Sequence, residues 1–516
     1  MGSPGASDTT EQAVAKVIEV VAPASGAAVG EVPVMGADRV CSAVEAAREA
    51  QREWARETVE SRAASLLKFR DALVARAEPL VELIVRETGK PRHEALLHEV
   101  AQTADLATFY TRVGSRVLAP REIALRLFRH RKSYVHWVPR GVVGVIGSWS
   151  LPLAGPMAGV IPALLAGSTV VIKPSEATPL SALEAKRIWD RAGLPDGVLS
   201  VVTGGAETGR ALIEAGPELV HFTGRADTGR EVAVSCARRS IPSILALRGK
   251  APLIACADAS LEWTARSAVF GAFANAGQTC LSVERMYVHR ELHDALVERI
   301  VELTSELEQG DPETGWVDVG AITIPERMAR IEEIVADAVA KGAVVRTGGR
   351  RLEGKGRFYR PTVLTGCDHT MRVMREEVFG PVLPIMKVDS EEQAVELAND
   401  SEAGLEAYVF SADRERGRRV AERIRAGNVL VNDVLSNYAT PEAPFCGVGG
   451  SGFGQVHGEE VLRQMSELRH VSYDRMTIAR NAFGYPYSGD RFRWLLRGVR
   501  TLFSGGDVLQ KISELL

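Results

Sequence analysis

The chain has 516 residues, 46% of them hydrophobic and 25% charged, a composition typical of a folded globular protein with room for two or three domains. Its 62 lysines and arginines nearly balance 66 aspartates and glutamates and leave a net charge of −4, which argues against a nucleic acid as the main partner. The six cysteines are scattered and show no metal-ligand spacing, so neither a disulfide framework nor a metal site is expected.

The N-terminal third is predicted to contain a β-ribbon followed by helices. Residues 12–34 alternate short Val/Ile runs with Gly and Pro, which predicts the ribbon. From Gly36 to about Arg112 the apolar residues recur at helical spacing, and one helix is predicted to end at Gly89, two residues before a proline. The first ten residues are small and polar, and no stretch long enough to cross a membrane lacks charge. We therefore expect no signal peptide, no membrane span and a cytoplasmic location.

Strands and helices alternate from residue 141 onward. Five strand-like runs are separated by helical segments, an order that predicts right-handed βαβ units and a parallel sheet. The runs are Gly141–Ile146, Ser168–Ile172, Val198–Val202, Leu219–Phe222 and Ile241–Leu247, and the helical segments lie near 152–166, 179–192, 206–215 and 228–239. Ligands of such a sheet bind at the carboxyl ends of its strands.

A second alternation follows Lys250 and predicts a second α/β domain. Its strands are predicted at Met286–Val288, near 343–347 and 382–388, at Ala407–Phe410 and at Val429–Val431, with helices near 291–307 and 414–426. In the tail, Asp490–Phe503 has the pattern of a basic amphipathic helix with aromatic residues. Such a helix could lie on a membrane surface, or it could dock on this protein or on another subunit.

Cys280 is the first candidate for chemistry. It ends the segment Phe273-Ala-Asn-Ala-Gly-Gln-Thr-Cys280, in which a helix is predicted to end at the Asn/Gly pair and the cysteine to follow on a tight loop. A nucleophilic cysteine needs partial exposure and a lowered pKa. We expect backbone N–H dipoles to lower the pKa, because the one histidine within ten residues is His289. The alternative is a buried, inert thiol.

The same segment resembles the active-site signature of NAD(P)-dependent aldehyde dehydrogenases, with Cys280 at the position of the family's thiol nucleophile. Further motifs fit the family in order along nearly the whole chain: Glu87-Thr-Gly-Lys-Pro91, Val171-Ile-Lys-Pro-Ser-Glu176, Phe222-Thr-Gly224, Glu377-Val-Phe-Gly-Pro381, Gly404-Leu-Glu-Ala407, Val429-Leu-Val-Asn-Asp433 and Pro444-Phe-Cys-Gly-Val-Gly-Gly-Ser-Gly452. The last two, with His457-Gly458, are most similar to the class 3 and fatty aldehyde branch.

The resemblance implies an α/β fold with a Rossmann-type dinucleotide-binding domain, an α/β catalytic domain and a small β oligomerisation arm. The dinucleotide-binding domain is expected at 12–120 and 140–250, the catalytic domain at 251–464, the arm at 121–139 and 465–476, and a C-terminal tail at 477–516. Two short strands within the arm, Lys132–Trp137 and Glu467–Tyr473, are expected to pair and to project toward another subunit. A homodimer or homotetramer is therefore expected.

The resemblance also implies oxidation of an aldehyde, here an apolar one, through a thioacyl intermediate on Cys280. In the family the thiolate attacks the carbonyl carbon, hydride passes to the nicotinamide, and a water activated by a glutamate hydrolyses the thioester. The backbone N–H of the nucleophile and an asparagine amide hold the oxyanion, and each such donor typically lowers the barrier by about 2.7–4 kcal/mol.

Several residues depart from the family at these chemical positions. Ser150 replaces the oxyanion asparagine, and Ala246 replaces the general-base glutamate. Arg248 and Cys446 each replace a glycine, and Arg225 replaces a serine. Ser150 is either a weaker hydroxyl donor or no donor at all. Loss of a general base typically slows a reaction by about 10²–10⁴-fold, so hydrolysis is expected to be impaired.

The cofactor positions match the family better. Lys173 and Glu176 match residues that contact the adenosine ribose, where a carboxylate accepts from a 2′-hydroxyl and repels a 2′-phosphate, so NAD is expected over NADP. Glu377 matches the ligand of the nicotinamide ribose. Gly224 and Gly229 bracket a predicted helix start, and this spacing suits a pyrophosphate at a helix N-terminus. The cofactor-binding residues implied by the resemblance are Trp149, Lys173, Ser175, Glu176, Gly204, Phe222, Thr223, Gly224, Arg225, Gly229, Leu247, Glu377 and Phe379.

Two other functions fit the departures. Without a base for water, a thiol such as coenzyme A could take the acyl group from Cys280, which would make the protein an acylating dehydrogenase. A catalytically inactive scaffold with the family fold would result if Arg225 and Arg248 blocked the cofactor cleft. Retention of Cys280, Lys173 and Glu377 favours an enzyme.

Overall fold

The computed structural model of the protein describes residues 16–475 and 484–503. The start of the predicted ribbon and dinucleotide-binding domain (12–15), the last residue of the arm (476) and parts of the tail (477–483 and 504–516) lie outside the described residues. The chain forms two compact units. One contains the described residues up to Ala119 together with Trp137–Leu468, and the other contains Pro120–His136 together with the described residues from Arg469 onward.

The first half of the chain contains the predicted ribbon, the helices and the first sheet. Its strands are β1 (Val17–Val21), β2 (Ala28–Pro33), β3 (Arg121–Glu122), β4 (Arg131–Pro139), β5 (Val142–Ile146), β6 (Thr169–Lys173), β7 (Leu199–Val201), β8 (Leu219–Thr223) and β9 (Ser243–Ala246). Its helices are α1 (Ala37–Trp54), α2 (Val59–Ala75), α3 (Ala77–Thr88), α4 (Arg92–Ala95), a π-helical turn (Leu96–Ala101), α5 (Gln102–Val117), α6 (Ala154–Leu165), α7 (Leu180–Arg191), α8 (Ala206–Glu214) and α9 (Ala226–Arg238). As predicted, α3 ends at Gly89, which has φ 76° and so adopts the left-handed conformation that glycine accommodates without strain.

The second half of the chain contains the second sheet and the tail helix. Its strands are β10 (Ala251–Ala255), β11 (Val283–His289), β12 (Val344–Thr347), β13 (Thr362–Thr365), β14 (Val382–Val388), β15 (Ala403–Gly404), β16 (Glu406–Phe410), β17 (Asn428–Val431), β18 (Val448–Gly449), β19 (Gly452–Phe453) and β20 (Ser466–Asp474). Its helices are α10 (Leu261–Phe273), a 3₁₀ turn (Ala274–Gly277), α11 (Arg290–Ser305), α12 (Pro325–Ala340), α13 (Arg372–Arg375), α14 (Glu391–Asn399), α15 (Arg414–Ala421), a 3₁₀ turn (Ser436–Ala439), α16 (Glu460–Gln464) and α17 (Gly489–Phe503).

The five predicted strands of the first sheet are confirmed, each to within a few residues. Together with β19 they form a six-stranded sheet in the order β19-β9-β8-β5-β6-β7. Strand β19 is the antiparallel edge strand, and the five others run parallel. Helix α6 is buried along its whole length, as its apolar sequence predicts. The carboxyl ends of β5, β6, β8 and β9 therefore open on the same edge of the sheet.

The second sheet has seven strands in the order β12-β13-β14-β11-β10-β16-β17. Only its edge strand β12 is antiparallel to its neighbour. Two strands, β10 and β13, are absent from the sequence prediction: β10 is short and contains a proline, and β13 has the half-polar sequence Thr-Val-Leu-Thr. One apolar cluster packs on this sheet and two others pack on the faces of the first, which is the mixed α/β architecture that the sequence predicts.

The second compact unit contains the predicted arm and the tail helix. Strands β3, β4 and β20 form a three-stranded sheet in the order β20-β4-β3, and Tyr134 stacks on Tyr473 with ring centroids 6.3 Å apart. Helix α17 confirms the predicted amphipathic helix and exposes Phe492, Val499 and Phe503. Whether this helix meets a membrane surface or a subunit, and whether the arm assembles a dimer or tetramer, stay predictions. Within the described part of the chain, no helix is both long and apolar enough to cross a membrane.

Candidate active site

Cys280 lies on the loop that joins the 3₁₀ turn Ala274–Gly277 to β11. Helix α10 ends at Phe273, and Asn275 and Ala276 both take left-handed backbone angles with φ 52° and 53°. The carboxylate of Glu94 accepts the backbone N–H of Asn275 at 2.8 and 2.9 Å. This contact compensates a strained turn, so the tight loop predicted for Cys280 is present and is held by a buried acid.

The backbone of Ser150 is fixed against this loop. Its carbonyl oxygen accepts from Nζ of Lys90 at 3.0 Å and from Nδ2 of Asn275 at 3.1 Å. Its hydroxyl lies 3.3 Å from that of Ser148. Asn275 therefore joins the predicted oxyanion segment to the nucleophile loop, a role that its position in the signature motif did not reveal.

The ammonium group of Lys90 is neutralised by Glu99. The pair is fully buried, with Nζ and Oε1 2.5 Å apart. The second oxygen of Glu99 accepts the backbone N–H groups of Leu153 and Ala154 at 3.0 and 2.8 Å, which are at the start of α6. One carboxylate thus satisfies both the cation that holds Ser150 and the unpaired donors of a helix N-terminus.

The prediction of a lowered thiol pKa is wrong for this structure. Burial, followed by the nearby carboxyls of Glu377 and Glu406, raises the pKa of Cys280 to about 12. The backbone N–H of Cys280 and the hydroxyl of Thr279 act in the opposite direction but are outweighed. The predicted help from a helix end is also absent, because α10 presents its C-terminus toward this loop and it is the N-terminus of a helix that favours an anion.

Alkylation of Cys280 by iodoacetamide should be slow at neutral pH and should keep accelerating between pH 7 and 10, because a thiol with a pKa of about 12 is almost fully protonated in that range. Cys41 is the exposed cysteine and should react first, so the measurement uses Cys41→Ser with mass spectrometry of the Cys280 peptide. Cys41 in the unaltered protein provides the reference rate. A Cys280 rate that levels off near neutral pH would contradict the raised pKa.

Ala246 ends β9 and packs in the same apolar cluster as Cys280. A side chain at Gly249, three residues further, would collide with the carbonyl oxygen of Cys280, so the end of β9 and the nucleophile loop lie side by side. Position 246 thus has the location expected of a base but carries only a methyl group.

A cleft of about 610 Å³ opens at the carboxyl ends of β5, β6 and β8. It contains the predicted residues Trp149, Lys173, Ser175, Glu176, Phe222, Thr223, Gly224 and Arg225. Nζ of Lys173 lies 3.3 Å from Oε2 of Glu176, and α9 begins immediately after Arg225. A carboxylate and a helix N-terminus at a strand edge are the groups expected of a dinucleotide cleft, and the roles of Glu176 and α9 stay predictions.

Five predicted cofactor residues do not line this cleft: Gly204, Gly229, Leu247, Glu377 and Phe379. Gly204 has φ 150° and approaches Thr208 too closely for a side chain, and its neighbour Gly205 lines the cleft instead. Gly229 lies in the first turn of α9, where a side chain would collide with Leu247. The structure therefore shows close helix–sheet packing at these positions.

A second cavity, of about 750 Å³, shares Trp149 and Arg225 with the cleft and contains Glu377. Oε1 of Glu377 accepts the backbone N–H of Gly249 at 3.3 Å, and Oε2 lies 3.8 Å from Arg327. Burial and a neighbouring glutamate raise the pKa of Glu377 to about 7.

Phe379 forms the aromatic wall beside Glu377. Its ring makes an edge contact with Trp149 at 5.3 Å and lies 5.1 Å from the Arg327 guanidinium. Arg327 was missed by the sequence analysis because no motif surrounds it. These two contacts pack Phe379 between Trp149 and Arg327, and its role toward the nicotinamide stays a prediction.

The two arginines suspected of blocking the cleft each have an acidic partner. Arg225 pairs with Asp227 through two hydrogen bonds, at 3.1 and 2.6 Å. Arg248 pairs with Glu402 at 2.7 Å. Both line the second cavity, so their charges are partly balanced before any ligand arrives.

An apolar cavity of about 300 Å³ starts beside Cys280, where Asn275, Thr279 and Leu281 line it. Its other lining residues are His98, Gln102, Leu151, Phe270, Ala274, Asp433, Val434, Leu435, Ser436, Tyr438 and Ala439. Burial lowers the pKa of His98 to about 4, so its imidazole is neutral at pH 7. The lining thus contains one carboxylate and no cation at neutral pH.

Comparisons with known proteins agree on one family. A family model described as the aldehyde dehydrogenase family matches residues 9–471. The chain is 36% identical over 497 residues to 4,4'-diapolycopene aldehyde oxidase of Methylomonas sp, covering 96% of this chain and 93% of that protein. A NAD⁺ complex of aldehyde dehydrogenase from Bacillus cereus superposes with a TM-score of 0.86 at 31% identity over 89% of this chain and 93% of that one. A NADP-dependent enzyme of E. coli superposes with a TM-score of 0.85 at 33% identity. The match covers 89% of this chain and 95% of that one.

Proposed function

The chain belongs to the aldehyde dehydrogenase family, and we propose from its site that it oxidises an apolar aldehyde with NAD(P)⁺. The acyl group forms a thioester on Cys280 and is released from it slowly. The observation that carries this proposal is the place of Cys280. Its neighbours Thr279 and Leu281 line the apolar cavity, and its carbonyl oxygen lies against Gly249, whose N–H donates to Glu377 in the second cavity. The family relationship supports aldehyde oxidation. The class 3 resemblance stays a prediction.

Cys280 gives its thiol proton to solvent, and its sulfur attacks the aldehyde carbon. The backbone N–H of Cys280 and the hydroxyl of Ser150 are the donors proposed for the resulting oxyanion. When bound, NAD(P)⁺ supplies the acceptor for the hydride that leaves this carbon. The carbon is then a thioester of Cys280, and water must displace the sulfur to give a carboxylic acid. Ala246 cannot activate that water.

The apolar cavity limits the class of aldehyde. It has no lysine or arginine in its lining, and its carboxylate, Asp433, repels anions. An aldehyde that carries a second carboxylate would lose its hydration without gaining a counter-ion. Uncharged aliphatic or polyene aldehydes fit this lining best.

We expect NAD⁺ to bind more tightly than NADP⁺, because the carboxylate of Glu176 would face a 2′-phosphate. Glu176→Gln should reduce the ratio of the two dissociation constants about tenfold, which corresponds to about 1.4 kcal/mol. Fluorescence titration with both cofactors measures this ratio, and Glu214→Gln, an exposed carboxylate on α8, is the matched control. Tighter NADP⁺ binding by the unaltered protein would indicate that Arg225 takes the phosphate. Failure of both cofactors to bind at millimolar concentration would favour the inactive scaffold.

Mixing the protein with NAD⁺ and a medium-chain aldehyde should give a burst of about one NADH per active site and then a slow steady rate, because thioester formation outruns hydrolysis. Ala246→Glu should raise the steady rate at pH 7 by at least about tenfold without enlarging the burst, since only the step that uses water gains a base. Stopped-flow absorbance measures both phases. Equal burst and steady rates would contradict slow release.

The absent base at position 246 also favours a thiol as acyl acceptor. Adding coenzyme A during the steady phase distinguishes the two acceptors. Acceleration would make this an acylating dehydrogenase, and an unchanged rate would leave water as the acceptor.

A further inference from the structure

We propose that Glu406 accepts the proton of the water that hydrolyses the Cys280 thioester, in place of the carboxylate that Ala246 lacks. This inference rests on the proposed function. It assigns a catalytic base to a residue of the Gly404-Leu-Glu-Ala407 motif for which the sequence analysis gave no role.

Glu406 projects toward the nucleophile loop. It is the first residue of β16, and side chains two apart on a strand share a face, so Glu406 and Tyr408 lie on the same side of the sheet. The hydroxyl of Tyr408 donates to the carbonyl oxygen of Leu281 at 2.6 Å. Leu281 directly follows Cys280, so this side of β16 faces the Cys280 loop.

The carboxyl of Glu406 also borders the wall of the apolar cavity. Its Oε2 accepts from Nδ2 of Asn437 at 2.8 Å. Asn437 belongs to the 3₁₀ turn Ser436–Ala439, and three members of this turn, Ser436, Tyr438 and Ala439, line the cavity. Glu406 thus contacts the turn that lines the cavity, and its strand packs against the loop that carries Cys280.

One oxygen of Glu406 has no hydrogen-bond partner. Glu406 is 1% exposed, and its Oε1 accepts from no group in the part of the chain that the structure describes. A buried polar atom left in this state destabilises the fold, and an alanine or leucine would avoid that cost. An oxygen free to accept a proton is what a water-activating base requires.

The charges around Glu406 determine when it can act. Cys280 on the loop, Tyr408 on its own strand and Asp433 after β17 are the titratable groups that face it. Burial and the Asp433 carboxylate raise the pKa of Glu406 well above that of an ordinary glutamate. Its carboxyl therefore keeps its proton to a higher pH than an ordinary glutamate does and becomes a base as the pH rises.

Glu377 is a less suitable base, although its carboxyl also raises the pKa of Cys280. Both of its oxygens are engaged on the cofactor side, by Gly249 and Arg327. Glu406 has one oxygen free and contacts the turn that lines the apolar cavity.

The step balances as an ordinary thioester hydrolysis. The water oxygen forms a bond to the acyl carbon while one water proton moves to Oε1 of Glu406. The carbon–sulfur bond breaks, and its electron pair returns to Cys280 as thiolate. The proton on Glu406 then passes to this thiolate or to solvent, and the carboxylic acid leaves.

The test compares burst and steady phases in Glu406→Gln, in Ala246→Glu and in the double variant between pH 6 and 10. We expect Glu406→Gln to keep the burst amplitude and to lower the steady rate at the alkaline end of this range by about 10²-fold or more. The steady rate of the unaltered protein should rise with pH and level off, and this plateau should vanish in Glu406→Gln. Adding Ala246→Glu to that variant should restore the steady rate at neutral pH.

Glu87→Gln is the matched control, because Glu87 is another buried carboxyl with a raised pKa, but it contacts the start of α7. It should leave the pH profile unchanged. If Glu406→Gln fails to fold in denaturant titration, Glu406→Asp replaces it and should show an intermediate steady rate. A steady rate unaffected by Glu406→Gln, or a burst lost with it and not restored by Ala246→Glu, would overturn the assignment of Glu406. Absence of a burst in the unaltered protein would overturn the proposed function itself, and the role of Glu406 with it.

Discussion

Cys280→Ala should abolish NADH formation, lowering both the burst and the steady rate by at least about 10³-fold, because no other side chain at this loop can form the thioester. The cofactor cleft is built by β5, β6, β8 and α9, so NAD⁺ should still bind with an unchanged dissociation constant. Stopped-flow absorbance and cofactor titration together measure the two effects.

Cys446→Ala is the control for this substitution. Cys446 is the other half-buried thiol, and its removal should change the burst less than about twofold. Appreciable NADH formation by Cys280→Ala would show that the nucleophile has been assigned to the wrong residue.

Glu99→Gln should lower the free energy of unfolding by about 3–5 kcal/mol, because it leaves the Lys90 ammonium buried without a counter-ion. It should also reduce the burst, since Lys90 holds the carbonyl of Ser150. Denaturant unfolding followed by circular dichroism measures the first effect, and the NADH burst measures the second.

Glu442→Gln is the matched control for Glu99→Gln. Its ion pair with Arg112 is exposed and should contribute less than about 1 kcal/mol. Replacing both buried partners, as Lys90→Met with Glu99→Leu, should recover much of the stability without recovering the burst. Equal destabilisation by the two glutamine variants would contradict the importance of burial.

The first sheet could be predicted from the sequence because each of its strands is a short apolar run between clear helices. The second sheet was less readable, since β10 contains a proline and β13 is half polar. Both strands are specified by their neighbours in the sheet, and such tertiary preferences override local propensity.

The candidate site could also be predicted from the sequence only in part. Residues within motifs, such as Lys173, Glu176 and Glu377, lie in the cavities that the family resemblance implies. The ionisation of Cys280 could not be predicted, because it depends first on burial and then on the carboxyls of Glu377 and Glu406, which lie far along the chain. The sequence signal for Glu406 is a glutamate at the start of an apolar strand. That signal can be interpreted only when the neighbours of this strand in the sheet are known.

The π-helical turn Leu96–Ala101 places two different tasks on consecutive residues: His98 lines the apolar cavity, and Glu99 neutralises Lys90. Such a turn carries more residues than an α-helical one. Deleting a single residue would return it to α-helical geometry, and the residues inside the turn would then leave the helix in different directions. Either the cavity wall or the buried ion pair would then face the wrong way. The number of residues in this turn is therefore fixed by the two tasks together, and homologues that differ in length are expected to gain or lose residues elsewhere.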